Sequence, residues 1–184
     1  MLKILIVFCI IILNFKLYSE EIKNKSNYEI YAGVGAGFSN FGVSGSLILN
    51  YSIKDISIGI RNIKSQEIHI LGKKPNESIS EYLLLLGYKT RYKEISITFS
   101  SGIGVYYYLE RGEIIKGSEV RIPFFLLYSK YESEFKNGYC IPLEIQLLPT
   151  NASYSKFGIS LFANFNKDRN SYGTLLTFNL GKFK

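Results

Sequence analysis

The sequence predicts an all-β domain: an eight-stranded, antiparallel, up-and-down transmembrane β-barrel preceded by a signal peptide. Three observations carry that expectation. Apolar residues alternate with small or polar ones through segment after segment, as in strands with one apolar face. After the N-terminal segment, no apolar run approaches the roughly 20 residues that a membrane-crossing helix needs. Aromatic residues gather near the ends of the alternating segments, where interfacial girdles sit in barrels that cross a bilayer.

The chain has 184 residues, enough for one domain, with 15 Tyr, 13 Phe, 16 Gly and no Trp. Tyr, Phe, Ile and Thr suit pleated strands, and Ala-rich helical blocks are missing. Residues 1–19 read as a signal peptide: Lys3 supplies the positive start, Ile4 to Leu13 the apolar run, and Ser19 a small residue at the cleavage point. Residues 20–27 form a polar lead-in, and 28–184 the barrel. Loss of Lys3 and Lys16 with the signal takes the formal charge from +7 to +5. It also removes Cys9 and leaves Cys140 alone, which excludes an internal disulfide or a structural zinc site.

In order, 28–38 alternates Tyr28, Ile30, Ala32, Val34, Ala36 and Phe38 against Glu29, Tyr31, Gly33, Gly35 and Gly37. After a turn at 39–41, strand 42–53 sets Val43, Leu47, Leu49, Tyr51 and Ile53 against Ser44, Ser46, Asn50 and Ser52. Lys54 and Asp55 make a tight turn into 56–62, and 63–79 is a longer polar loop. Strand 80–89 follows, its second face blurred by Leu83 and Leu85. Strand 94–108 is the longest regular run. The segment 109–137 reads as a long loop with room for a hairpin extending its flanking strands. Strands 138–147, 154–166 and 171–183 complete eight, an even number.

Alternation alone also fits a soluble, lipocalin-like barrel. The faces argue for a membrane. One is largely Gly, Ser, Thr and Asn, with Glu29, Arg61, Lys89 and Glu144 among them, whereas a soluble barrel fills its interior with apolar side chains. The other face is Ile, Leu, Val and Phe on nearly every strand, too much to expose to water. One girdle is expected at Tyr51, Tyr88, Tyr92, Tyr154 and Phe183. The other is expected at Phe38, Phe41, Tyr82, Tyr106, Tyr107, Tyr108, Tyr139, Phe165 and Tyr172.

The segment from Ser171 to Phe178 resembles the C-terminal targeting signal of bacterial outer-membrane barrels. Ser171, Gly173, Leu176 and Phe178 take its polar, glycine and two hydrophobic positions, although the chain runs on to Phe183 and Lys184. The chain as a whole is similar to small outer-membrane barrel proteins of Gram-negative bacteria, with the eight-stranded OmpA/OmpX-like architecture. The resemblance implies recognition by the barrel-assembly machinery and residence in the cell outer membrane. It carries no activity with it.

Candidate chemistry is sparse. Gly33, Gly35 and Gly37 fall on one face of a strand with no helix after them, which makes room in a narrow barrel rather than a nucleotide loop. His69 is the only imidazole, and no Ser/Asp constellation at recognisable spacing accompanies it. No catalytic residue, cofactor or metal site is therefore expected. Glu29, Arg61, Lys89 and Glu144 are expected to pair as a polar cluster in the lumen. The basic residues are dispersed over loops and turns, which disfavours nucleic acid and suits lipid headgroups and lipopolysaccharide phosphates. The functional expectation is a monomeric outer-membrane barrel with a structural or surface-interaction role and no general diffusion channel. The alternatives are a lipid-modifying barrel enzyme around His69 and a soluble exported barrel binding an apolar ligand.

Overall fold

The computed structural model describes residues 28–68, 72–116, 120–122, 125–151 and 154–183. The signal-peptide expectation and His69 lie outside the described residues. Ten strands are present among the described residues: β1 Tyr28–Ser39, β2 Gly42–Ile53, β3 Ile56–Gln66, β4 Gly72–Lys74, β5 Ser78–Tyr92, β6 Ile95–Ile114, β7 Val120–Ile122, β8 Phe125–Pro149, β9 Ser155–Asn166 and β10 Ser171–Lys182. Eight of them close into an antiparallel up-and-down ring, β1-β2-β3-β5-β6-β8-β9-β10, sealed by β10 against β1.

The ring forms because its strands present a period-two pattern, and the two-residue turns hold the register of the strands they join. Lys54 and Lys93 adopt left-handed backbone conformations, with φ of 51° and 52°, at the two-residue turns into β3 and β6. At the opposite end, Gly42 has φ of 117° where β1 turns into β2, a conformation that favours glycine. The neighbouring Asn40 ties that turn to the β9–β10 turn. Its side chain donates to Asn170 O at 2.9 Å and accepts from the Tyr172 amide at 2.9 Å. The β1–β10 seam is especially close at Gly37, where an added Cβ would land on the backbone carbonyl of Thr174. Pro142 interrupts the β6–β8 ladder, which passes from Ser101↔Leu143 to Gly104↔Cys140. The Ser101 hydroxyl donates to the Pro142 carbonyl at 2.9 Å.

The outward face is apolar throughout the ring: Ile56, Ile58 and Ile60 on β3, Leu84 and Leu86 on β5, Leu176 and Leu180 on β10 are all exposed. Only closed barrels and helices satisfy every backbone group in hydrocarbon, and no helix among the described residues is long and apolar enough to cross a membrane.

Two sequence expectations need correction. First, among the described residues of 109–137 the hairpin for which the sequence left room takes the place of a long loop. β6 runs on to Ile114 and β8 begins at Phe125, so their ladder continues beyond the ring as a hairpin capped by β7. The loop expected at 63–79 shrinks to 67–77 for the same reason, and β4 within it adds in parallel to β8. Second, four girdle aromatics point inward: Phe41, Tyr106, Tyr108 and Phe183 are all buried. The outward aromatics Tyr82, Tyr107, Tyr139, Tyr154 and Tyr172 do face the surroundings. The interior is chiefly polar: Ser, Thr, Asn and Gln together with the charged residues outnumber the apolar side chains among the buried residues. Ile63, Ile79, Leu83, Leu85, Phe162 and Leu175 form an apolar cluster inside it with Tyr106, Tyr108 and Phe41. A barrel of eight strands is narrow enough for its own side chains to fill, so apolar and polar groups share the lumen.

Candidate functional site in the barrel lumen

Every second residue of each ring strand points inward, which brings charges from distant parts of the chain together. Arg61 on β3 faces Glu144 on β8, and its guanidinium lies 2.6 Å from the carboxylate. Arg61 also donates to the Ser160 hydroxyl at 2.8 Å, which in turn donates to Glu144 at 3.0 Å. Nearer the short-turn end, Lys89 of β5 pairs with Glu29 of β1, and Arg91 reaches the same carboxylate at 3.0 Å. The four lumen charges singled out in the sequence thus stand as two ion pairs. All four residues are buried. Buried charges without partners are costly, and each pair compensates charges that the interior would otherwise leave unpaired.

Two lumen groups escaped the sequence reading. Glu81 is completely buried, and its carboxylate accepts from Ser171 Oγ at 2.8 Å and from Asn164 Nδ2 at 2.7 Å. Lys156 is buried at the short-turn end, its ammonium 4.6 Å from the Phe183 ring centroid. Both were findable by parity: Glu81 lies an even number of residues from Lys89, and Lys156 from Ser160. Ser171 is itself a lumen residue bound to Glu81.

Aromatics close both ends of this polar column. At the short-turn end Phe183 stacks on Tyr31 across the β1–β10 seam, with ring centroids 5.1 Å apart and an interplanar angle of 28°. Tyr31 donates onward to Gln146 Oε1 at 2.6 Å. At the hairpin end Phe41 meets Tyr108 edge-on at 5.5 Å, and the Arg169 guanidinium sits 4.5 Å over the Phe41 ring. Arg169 is fixed there by Glu77 and by the Tyr108 hydroxyl, while Tyr106 donates to Asp168. Above the ring Lys136 pairs with Glu110 within the hairpin, and Arg111 ties the hairpin to Glu67, the residue after β3. The Glu110 carboxylate that accepts its hydrogen bond holds the Lys136 ammonium above the ordinary lysine range.

A ring of eight antiparallel strands, apolar outside and plugged by ion pairs and aromatics inside, decides the architecture. The fold is that of the eight-stranded outer-membrane barrels. Neisserial surface protein A superposes with a TM-score of 0.58 at 8% identity, covering 88% of this chain and all of that one. The N-terminal β-barrel domain of Pseudomonas aeruginosa OprF gives 0.58 at 8% identity, covering 86% of this chain and 99% of that one. Ail, the attachment invasion locus protein of Yersinia pestis, gives 0.54 at 14%, covering 85% and 97%. No protein-family model and no curated protein matches the sequence. Among the described residues no group of three or more His, Cys, Asp or Glu is placed to hold a metal ion. Cys140, the free thiol among them, is buried.

Proposed function

We propose that this chain is exported and resides in the cell outer membrane as a monomeric, non-enzymatic barrel. Its role in this reading is structural or surface-interacting, through the β6–β8 hairpin and loop 67–77. The single observation that carries the reading is the pairing of an apolar outer wall with an occluded interior. Such a wall needs lipid around it, and such an interior leaves no path for general diffusion. The parts that remain for contact with the surroundings are those beyond the ring. There the outward Phe135 is more than four-fifths exposed. Lipopolysaccharide is the expected lipid neighbour. Ser171, Gly173, Leu176 and Phe178 are proposed as the signal read by the barrel-assembly machinery, and the lumen ion pairs as internal struts.

An epitope inserted after Lys116 tests the placement of the hairpin. Antibody labelling of intact cells is expected. Labelling only after lysis would put the hairpin on the wrong side of the membrane, or the chain outside the membrane altogether.

A further inference from the structure

On the outward face of β1–β3, at the hairpin end, lies a groove of about 630 Å3. One wall is apolar, formed by Val34, Val43 and Leu47, and the other carries Asn62 and Lys64. Gly45 is its floor, paired across the sheet with Ala36 on one side and Lys64 on the other. A Cβ added at Gly45 would meet nothing nearer than the Gly35 carbonyl oxygen at 3.8 Å, so the glycine leaves open space rather than relieving a clash.

Two features say what fits there. The first is position. Outward residues of β3 read Ile56, Ile58, Ile60, then Asn62, Lys64, Gln66, so the groove straddles the line where the apolar band gives way to polar residues. It opens sideways, toward whatever surrounds the barrel at that level. The second is charge. Asn62 donates to the Glu81 carbonyl at 3.2 Å, Asn76 donates to the Glu67 carbonyl at 2.9 Å, and the Glu67 carboxylate is engaged by Arg111. The Lys64 ammonium has no hydrogen bond or ion pair among the described residues, so the uncompensated charge of the groove is positive.

We propose that this groove holds one anionic membrane lipid. An acyl chain lies over Gly45 between Val34, Val43 and Leu47, and the phosphate meets Lys64. This deepens the outer-membrane reading and rests on it. A bilayer delivers both halves of such a ligand at this height, an apolar chain from below and an anionic headgroup from above.

The test is native mass spectrometry of the refolded, detergent-solubilised chain with dioleoylphosphatidylglycerol, dioleoylphosphatidylcholine or inorganic phosphate. Wild type is expected to retain one phosphatidylglycerol. Lys64→Gln should lower that retention about fivefold, to the phosphatidylcholine level. Gly45→Leu should abolish retention of both lipids by filling the floor. Retention of phosphatidylglycerol by both variants at the wild-type level, none by the wild type, or equal retention of free phosphate would each overturn the proposal. Heat-dependent gel mobility of the same samples separates the two claims. An intact mobility shift with no effect of the variants removes the groove alone, whereas a missing shift in the wild type removes the membrane reading beneath it.

Discussion

Arg61 is the largest of the completely buried side chains, and its charge is compensated there by Glu144 lying against it. Removing one member of such a pair strands the other, at a cost of about 3–5 kcal/mol, whereas replacing both with apolar groups is close to neutral. Arg61→Met should therefore lower the urea midpoint of unfolding strongly, and Arg61→Met with Glu144→Leu should recover most of the loss. Equal midpoints for the single and double variants would show that the pair is not a strut. Phe183 makes a second test at this scale. Phe183→Ala should cost about 3–5 kcal/mol as a buried aromatic truncation. Phe38→Ala, on the exposed face, should cost clearly less in the same assay. With no Trp in the chain, the folded fraction is read by gel mobility or circular dichroism. The inward turn of Phe183 was legible in principle, because it shares parity with Thr177 and Asn179 on the polar face of β10. Its aromatic character favours an outward expectation, since an aromatic at a strand end suits a girdle equally well. The pairing partners of Arg61 and Lys89 were not legible, because they depend on which strands the ring brings opposite each other.

At the scale of elements, the seam and the hairpin behave differently. Gly37→Val would drive a side chain into the Thr174 carbonyl and the Leu175 backbone, neither of which can move without opening the β1–β10 ladder. Loss of the compact folded species is expected, while Gly45→Val on the outward face leaves it intact. If Gly37→Val folded as well as Gly45→Val, the closeness of the seam would be wrong. Replacing 115–124 by a short turn should leave the barrel folded, because the β6–β8 ladder from Ile95↔Pro149 to Leu109↔Phe135 stands without the tip. The ring strands announced themselves because lipid demands an apolar residue at every second position. Beyond the ring both faces of the hairpin meet polar surroundings, so residues such as Glu132, Ser133 and Glu134 succeed one another without alternation. The pattern that identifies a membrane strand is absent there although the hydrogen-bonded ladder continues.

For the whole molecule, closure and occlusion set what the barrel does. Phe183 with Tyr31 at one end and Phe41 with Tyr108 at the other leave the ion pairs between two aromatic seals. Planar bilayers containing the refolded chain should show no stable conductance steps above background; steps of porin size would mean that the plug is not resident. Residence of the eight-stranded barrel in the outer membrane is tested most directly by cell fractionation followed by gel mobility with and without boiling. The chain is expected in the outer-membrane fraction, with a compact band that shifts on boiling. A chain recovered in the soluble periplasmic fraction, with one mobility under both conditions, would contradict it.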